Sequence, residues 1–429
     1  MDEQKRRTQS NNYWSGTTYA DNTDNAWIVN FNNGNVNNDN KDNEYYVRPV
    51  RSSQRLMMKQ DLFSFRNIYR CYLNCRNNKR NTVNALNFER NAEENILRLE
   101  RELKTKSYRP SRSILFAARK PKLREIFAAD FRDRIVHHIL VDYLQKIWER
   151  IFIYDSYACR EEKGTHKAIK RLQGFLRKIS QNGKVKTYFL QLDIKDFFTS
   201  IDKEILFSIF KKKINNPDVL WLIEKILFWD CTKSYLCRDD INLIRKVPVN
   251  KSLFGKENKR GLPIGNLTSQ FFANVYLNEL DQFVKHKLKC RYYIRYVDDF
   301  VLLGSDKEEL ASFKLEIGKF LTEQFKLKLH PRRQKLQPIS NGIDFLGYII
   351  RQDYILVRHR VLNNFKTRMR YFEGLIRNNN GKLNAVIFDR LRDSIKSYLG
   401  HFKWANCYRL MQAINKKPVI VDYLNYKGV

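Results

Sequence analysis

The spacing of apolar positions changes abruptly near residue 51. Between Asn11 and Asn43 twelve residues are asparagine and aliphatics are few, a composition that resists helix formation and suits turns or disorder. Beyond Arg51 the period becomes helical, with Ile96, Leu99 and Leu103 three or four apart among Glu, Arg and Lys. Arg109-Pro110 closes that stretch. Residues 113–117 and 124–129 then read as strands around the turn "KPKLR". Residues 130–151 read as an amphipathic helix burying Ile135, Ile139, Val141, Leu144 and Trp148.

A helix over 165–179 precedes "KTYFLQLDIKDFFTSID", where a buried strand over 188–192 ends at Asp193. Residues 203–229 read as helical and 237–260 as a basic, irregular hairpin. "GLPIGNLTSQ" is a turn-rich lead into a helix over 267–288, with Phe271, Val275, Leu280 and Phe283 facing inward. "RYYIRY", an aspartate pair and "FVLLG" give strand, turn, strand. A helix over 307–325 and a strand pair, "KLKLH" with "GIDFLGYII", complete a mixed α+β layer, and the chain from 361 to about 415 reads as helical. No internal repeat is visible.

Length and charge narrow the class. A chain of 429 residues, 43% hydrophobic and 13% aromatic, can bury a sizeable core across several domains. Its 80 basic residues against 46 acidic ones leave a net charge of +34, spread along the sequence, which favours a polyanion such as nucleic acid. No apolar run approaches the roughly 20 residues that span a bilayer, and the start "MDEQKRRTQS" lacks the apolar core of a signal peptide. A cytoplasmic protein with no membrane association is expected. The seven cysteines include no Cys-x2-Cys pair, so they read as reduced and structural, with no zinc site.

Against that basic background, Asp193 at a strand end and Asp298-Asp299 at a turn stand out. An Asp-Asp pair between strands is by itself an ordinary solvated turn. Three acids gathered on a sheet edge, however, stay ionised cheaply only with a cation to neutralise them. Mg²⁺ takes oxygen ligands while keeping positions for substrate phosphates, and two such ions about 4 Å apart suit phosphoryl transfer.

Residues 112–410 resemble the reverse transcriptases. "RKPKLREIFAADFRDRIVHH" is similar to the family's first finger motif and "DSYACREEKGTHKAI" to its second. "LQLDIKDFFTSID" is similar to the strand bearing the first catalytic acid, "RYVDDF" to the second acid motif, and "FLGYII" to the primer grip. The resemblance implies an α+β right-hand polymerase fold: fingers over 57–187, a palm with an antiparallel sheet over 188–354 carrying a basic insert at about 230–260, and a helical thumb over 355–429. It implies Asp193, Asp298 and, more weakly, Asp299 as catalytic acids, and Asp193, Ile194, Asp298 and Asp299 as the site of two Mg²⁺ ions. It implies nucleotide contacts from Lys120, Lys122 and Arg124 and from Phe198, whose place in the family checks the sugar. Phe345, Leu346, Gly347 and Tyr348 form the implied primer grip. The plainer alternatives are that Phe198 is a core aromatic beside Phe197 and that each cation is a solvated charge.

Where most of the family has Gln-Gly before the palm helix, this chain has Ile264-Gly265, followed by Ser269-Gln270. "LPIGNLTSQ" looks like the variant of diversity-generating retroelements, whose enzymes copy a template RNA with errors opposite adenine. Ile264, Gly265 and Gln270 would then lie at the nascent base pair, Ile264 offering shape without hydrogen bonds. Gln270 reads equally as a polar helix-start residue. The implied partners are template RNA, cDNA or primer, deoxynucleotide triphosphates and a small basic accessory variability protein, in a bacterial host. "YW", "AWIVNF" and "YVRPVR" resemble framework of the variable region in such elements' target proteins, so residues 1–56 read as a translated template repeat, with Met57 or Met58 as the working start. The rivals are a group II intron, retron or defence-associated enzyme, and a silent RNA-binding scaffold. Residues 396–414 read as a helix tracking the nucleic-acid backbone or as packed core. Arg333 or Lys335 is a candidate proton donor to pyrophosphate.

Overall fold

The structure, a computed structural model, describes residues 12–18, 25–30, 36–40, 61–77, 82–119, 122–378 and 385–415. The chain divides into two compact units, residues 1–64 and 65–429.

In the first unit, strands β1 (Asn12–Thr18), β2 (Asn25–Asn30) and β3 (Val36–Asn40) form an antiparallel sheet in that order, with Tyr13 opposite Val29 and Ile28 opposite Asn37. Asparagine content had pointed to turns or disorder here. The aromatic and β-branched residues between the asparagines are strand formers, and the strands follow them.

The second unit opens with three helices in place of one long run: α1 (Phe65–Arg76), α2 (Val83–Glu89) and α3 (Ala92–Lys104), the last burying Ile96, Leu99 and Leu103. Strands β4 (Ser113–Ala118) and β5 (Arg124–Ala128) pair antiparallel, and α4 (Phe131–Trp148) starts at Asp130, whose side chain accepts the Arg132 N–H. All five positions expected inside α4 are buried.

After α5 (Thr165–Ile179), the central sheet assembles from β6 (Tyr188–Ile194) and three later strands. The expected helix over 203–229 is broken: α6 (Phe197–Ser200) and α7 (Lys203–Lys211) end before Asn216, which caps α8 (Pro217–Leu227) with proline in its first turn. The basic stretch is not a hairpin. Its strand β7 (Tyr235–Cys237) runs parallel to β4, followed by the short helix α9 (Ile241–Arg245) and a 3₁₀ turn over Val249–Lys251.

Helix α10 (Leu267–Gln282) continues into a π-helical turn, Phe283–Lys287, where Phe283 is half-buried and stacks on Phe320 at 4.2 Å. Next come β8 (Tyr292–Tyr296), β9 (Asp299–Gly304), α11 (Lys307–Phe325) and β10 (Leu329–Pro338). The sheet order is β10-β6-β9-β8, antiparallel throughout. Successive residues of β6, Phe189 and Leu190, which point to opposite faces, are both buried, because α5 covers one face and α11 contacts the sheet from the other. "KLKLH" and "GIDFLGYII" do not pair. The first joins β6, while the second folds on itself as β11 (Ile343–Phe345) and β12 (Tyr348–Ile350), with β13 (Ile355–Val357) alongside. Leu346 and Gly347 both have positive φ, +53° and +89°, the backbone of a tight two-residue hairpin loop.

Helices α12 (His359–Asn378), α13 (Ala385–Phe402) and α14 (Tyr408–Asn415) close the unit around Phe365, Met369, Leu391, Ile395 and Phe402. No helix among the described residues is long and apolar enough to cross a membrane.

One buried ion pair ties this framework together. Arg295, the penultimate residue of β8, is fully buried and pairs with the fully buried Asp281 of α10 through contacts of 2.6 and 2.7 Å. Tyr293 donates to the same carboxylate at 2.8 Å. Removing one partner strands the other charge inside the protein. Arg295→Leu is expected to lower the unfolding free energy by about 3–5 kcal/mol, read from urea denaturation; a change below about 1 kcal/mol would contradict this role.

Candidate active site

The site is built at one end of the central sheet. Asp193 and Asp299 are direct cross-strand partners on β6 and β9, and Val297-Asp298 is the two-residue turn from β8 to β9. Val297 has φ +54°, a conformation that costs a β-branched residue about 1–3 kcal/mol and persists only where the surroundings impose it. Here they do: Arg295 donates to the Val297 carbonyl at 3.0 Å and to Asn274 Oδ1 at 3.2 Å, and Asn274 Nδ2 donates to the Ala158 carbonyl at 2.7 Å. The turn that aims Asp298 is therefore held from beneath by α10 and β8.

The three carboxylates differ in surroundings. Asp193 is buried, and its Oδ2 accepts from Arg333 Nη1 at 2.5 Å. Asp298 and Asp299 keep partial solvent contact but are flanked by protein and by one another. Burial first, then the charge of Asp193, raises the Asp298 carboxyl above its ordinary range. Burial pushes Asp299 up to about 7, opposed by a 3.1 Å hydrogen bond from Gln191 Nε2. The same amide group donates to the Asp344 carbonyl at 3.0 Å. Among the described residues no three acids close around one point. Asp193 and Asp298 face each other, with Asp299 turned to Gln191. Crowded carboxylates that resist ionisation are a donor set suited to a hard divalent cation.

A cleft opens beside them. Lys122, Arg124, Phe198, Ile264, Asp298 and Arg333 line it, and an adjoining pocket shares Phe198 and Ile264 and adds Gly265, Gln270 and Cys159. Lys120 lies outside the described residues. Phe197 is the core aromatic, 2% exposed, whereas Phe198 is half-buried on the cleft wall with its ring edge-on to Phe197 at 5.5 Å. The "LPIGN" turn is stitched to β5: Phe127 N–H donates to the Ile264 carbonyl at 3.0 Å, and Ala129 N–H to Asn266 Oδ1 at 2.8 Å. Gly265 has φ +119°, and a Cβ there would lie 2.7 Å from the Ile126 side chain, so only glycine fits. Gln270 is exposed and accepts a weak contact from the Cys159 thiol at 3.5 Å. Ile194 is buried at the end of β6 and also lines the cleft.

In the β11–β12 hairpin, Phe345 and Tyr348 are fully buried, and the Tyr348 hydroxyl donates to the His401 carbonyl at 2.9 Å. The Leu346-Gly347 turn remains partly open, as do Asp344 and Ile349 on the strands. Trp404 stacks on His166 at 4.3 Å, and Tyr398 and Phe402 pack on Phe365. The aromatics of 396–414 are thus largely packed, though Tyr408 is 75% exposed. Arg333 is the cation at Asp193, while Lys335 stands opposite Gln191.

The model of the reverse transcriptase (RNA-dependent DNA polymerase) family matches residues 116–350. The chain belongs to the reverse transcriptase family. Its α+β architecture is the right-hand polymerase fold of that family, with the antiparallel sheet as its platform. Residues 2–51 match a second family model, the Lcl C-terminal domain. Among curated relatives, protein YkfC of Escherichia coli is 24% identical over 272 residues, 56% of this chain and 66% of that protein. The group II intron-encoded protein LtrA of Lactococcus lactis is 23% identical over 331 residues, 61% of this chain and 50% of that protein. The chain thus spans between half and two thirds of these relatives. A solved apo telomerase from Candida tropicalis is 12% identical, with a TM-score of 0.43 over 58% of this chain and 55% of that one.

Two supports of this candidate site went unread in the sequence. Gln191 interrupts the apolar strand "YFLQL" and Arg295 the strand "YYIRY". A lone polar residue in a doubly covered strand must find a buried partner, and that was the available signal.

Asp299 carries a stability signature. Because its folded carboxyl is raised from 3.8 to about 7, the native state holds a proton that the unfolded chain has lost, so stability falls as pH rises through that window. In metal-free protein, Asp299→Asn is expected to raise stability at pH 7.5 by about 4 kcal/mol and leave it nearly unchanged near pH 3.5, measured by denaturant midpoints at both pH values.

Proposed function

We propose that this chain is an RNA-directed DNA polymerase of a diversity-generating element, copying a template RNA into cDNA with frequent errors opposite adenine. The observation that carries the polymerase reading is the meeting of Asp193 and Asp298 at the edge of a cleft walled by Phe198, Ile264, Lys122 and Arg124. Asp193, Ile194 and Asp298, with Asp299 behind them, would hold two Mg²⁺ ions. Bound Mg²⁺ supplies activation of the primer 3′-hydroxyl and neutralisation of charge on the transferring phosphorus. Lys122 and Arg124 bind the nucleotide phosphates, with Lys120 as a third contact. Phe198 bounds the sugar, Ile264 and Gly265 bound the base pair, and Gln270 faces the adjoining pocket. The turn at Leu346-Gly347, braced by Phe345 and Tyr348, positions the primer strand.

In this reading the fingers run over 57–187, the palm over 188–354 and the thumb over 355–429. Residues 1–56 are a translated template repeat, supported by the separate family match over 2–51. A small basic accessory protein is the expected partner, in bacterial cytoplasm. A group II intron enzyme is the second reading, favoured by the similarity to LtrA.

Asp298→Asn is expected to reduce primer extension on an RNA template by at least about 10³-fold, with the fold retained by circular dichroism; cDNA synthesis at the wild-type rate would remove Asp298 from the metal-binding set, and no synthesis by the wild type would leave the scaffold reading. The element type rests on Ile264. A side chain that cannot hydrogen-bond gives the base pair less geometric discrimination than an amide. Ile264→Gln is expected to lower misincorporation opposite adenine several-fold in sequenced cDNA, and an unchanged error spectrum would favour the intron reading.

A further inference from the structure

The period of two along β6 puts Phe189, Gln191 and Asp193 on one face of the sheet, and the register sets Val301 and Asp299 of β9 beside them. The β11–β12 hairpin covers this face, since Ile343, Phe345 and Tyr348 share a buried cluster with Phe189 and Val301. Gln191 is the polar break in that apolar contact. We propose that Gln191 is a positioning residue that couples the Asp299 carboxylate to the hairpin and, through Arg358, to helix α12, so that cation binding at the acids and seating of the thumb stabilise each other. This rests on the polymerase reading and adds a regulation of its metal site.

The Gln191 amide divides its hydrogens between two elements. Nε2 donates to Asp299 Oδ1 at 3.1 Å and to the Asp344 carbonyl at 3.0 Å. Gln191 stands opposite Val301, so Asp299 is its diagonal neighbour on β9, within reach of a long side chain. Oε1 is buried and has no hydrogen-bond partner among the described residues. Turning the amide over would satisfy neither acceptor and would set Oε1 against a carboxylate and a carbonyl. The two acceptors therefore fix the amide, and the orphaned oxygen is what holding both of them costs.

Asp344 carries the link onward. Its carbonyl meets Gln191, while its side chain pairs with Arg358 at 2.9 Å. The Arg358 N–H donates to the Gly347 carbonyl at 3.0 Å, clamping the hairpin turn, and the Arg358 carbonyl accepts from Val361 and Leu362 at 2.9 and 3.3 Å in the first turn of α12. The hairpin is also seated against α13: the Tyr348 hydroxyl donates to the His401 carbonyl at 2.9 Å, and a Cβ on Gly347 would stand 3.2 Å from the His401 ring. Both strands of the hairpin and its turn are thus tied to the helices, and Gln191 ties the hairpin to an acid of the site.

Hydrogen bonds to a ligating carboxylate set its orientation and so the affinity of the cation it holds. With Oδ1 engaged by Gln191, Asp299 has a second oxygen to offer a cation. A displacement of the hairpin moves the Asp344 carbonyl, and with it the amide that orients Asp299. Such linkage is reciprocal: whatever seats the hairpin tightens cation binding, and a cation held at the acids restrains the hairpin.

The test uses the full chain and Mn²⁺ alone, without nucleic acid. Free Mn²⁺ is measured by electron paramagnetic resonance, and amide hydrogen exchange over residues 343–362 is read by mass spectrometry with and without saturating Mn²⁺. In wild type, Mn²⁺ is expected to slow exchange in the hairpin and the first turn of α12 by at least about five-fold. Gln191→Leu is expected to bind Mn²⁺ about ten-fold more weakly and, once saturated, to lose that protection. Arg358→Gln, made at the half-exposed far end of the relay, is expected to keep protection in the hairpin, lose it in α12 and bind Mn²⁺ about three-fold more weakly. Arg392→Gln, on α13 with its partners Asp389 and Asp393 in the same helix, is expected to match wild type. Undiminished protection in Gln191→Leu, or Mn²⁺ binding by wild type with no response of the hairpin, would overturn the coupling and leave the polymerase reading standing. Absence of Mn²⁺ binding by wild type would remove the metal site of that reading and the coupling with it.

Discussion

The site depends on a salt bridge that touches no substrate. Arg295 and Asp281 are both wholly enclosed, and such a pair stabilises a fold only when its remaining donors and acceptors are met. Tyr293 meets the carboxylate, while Asn274 and the Val297 carbonyl meet the guanidinium. Val297 is thereby kept in a left-handed conformation, and Asp298 is aimed at Asp193. The ion pair's consequence is thus geometric as much as energetic: a polar network with one satisfied arrangement admits one shape of turn.

Charge is distributed in the opposite sense at two scales. Over the whole chain the surplus of +34 attracts polyanions from any direction. Within the cleft a few acids are crowded until Asp298 and Asp299 resist ionisation. Arg333 bridges the two regimes, since it answers Asp193 and borders the cations across the cleft. Acidic and basic side chains therefore meet in one small volume, an arrangement compatible with phosphoryl transfer.

Periodicity located the helices over 165–179 and 307–325 to the residue and named five positions of α4 that are all buried, because covered positions recur there at helical spacing. It failed where a local backbone event interrupts the pattern. Asn216-Pro217 divided a run that looked continuous, and Leu346, a non-glycine residue at φ +53°, turned "GIDFLGYII" into a hairpin. The basic stretch gave no pattern at all, since β7 is three residues long and finds its partner, β4, more than a hundred residues earlier.

The family and the acids were legible because spacing and residue type carry them. "LDIKDFF", "LPIGN" and "YVDDF" state which side chains a strand end or turn must present. Which of those side chains meet was decided only by tertiary structure. The pairing of Asp193 with Arg333, the exposure of Phe198 rather than Phe197 and the support of Asp299 by Gln191 join residues up to 140 positions apart. Local periodicity reports which face of an element is covered. It cannot report what covers it, because that depends on the register and packing of strands distant in the chain.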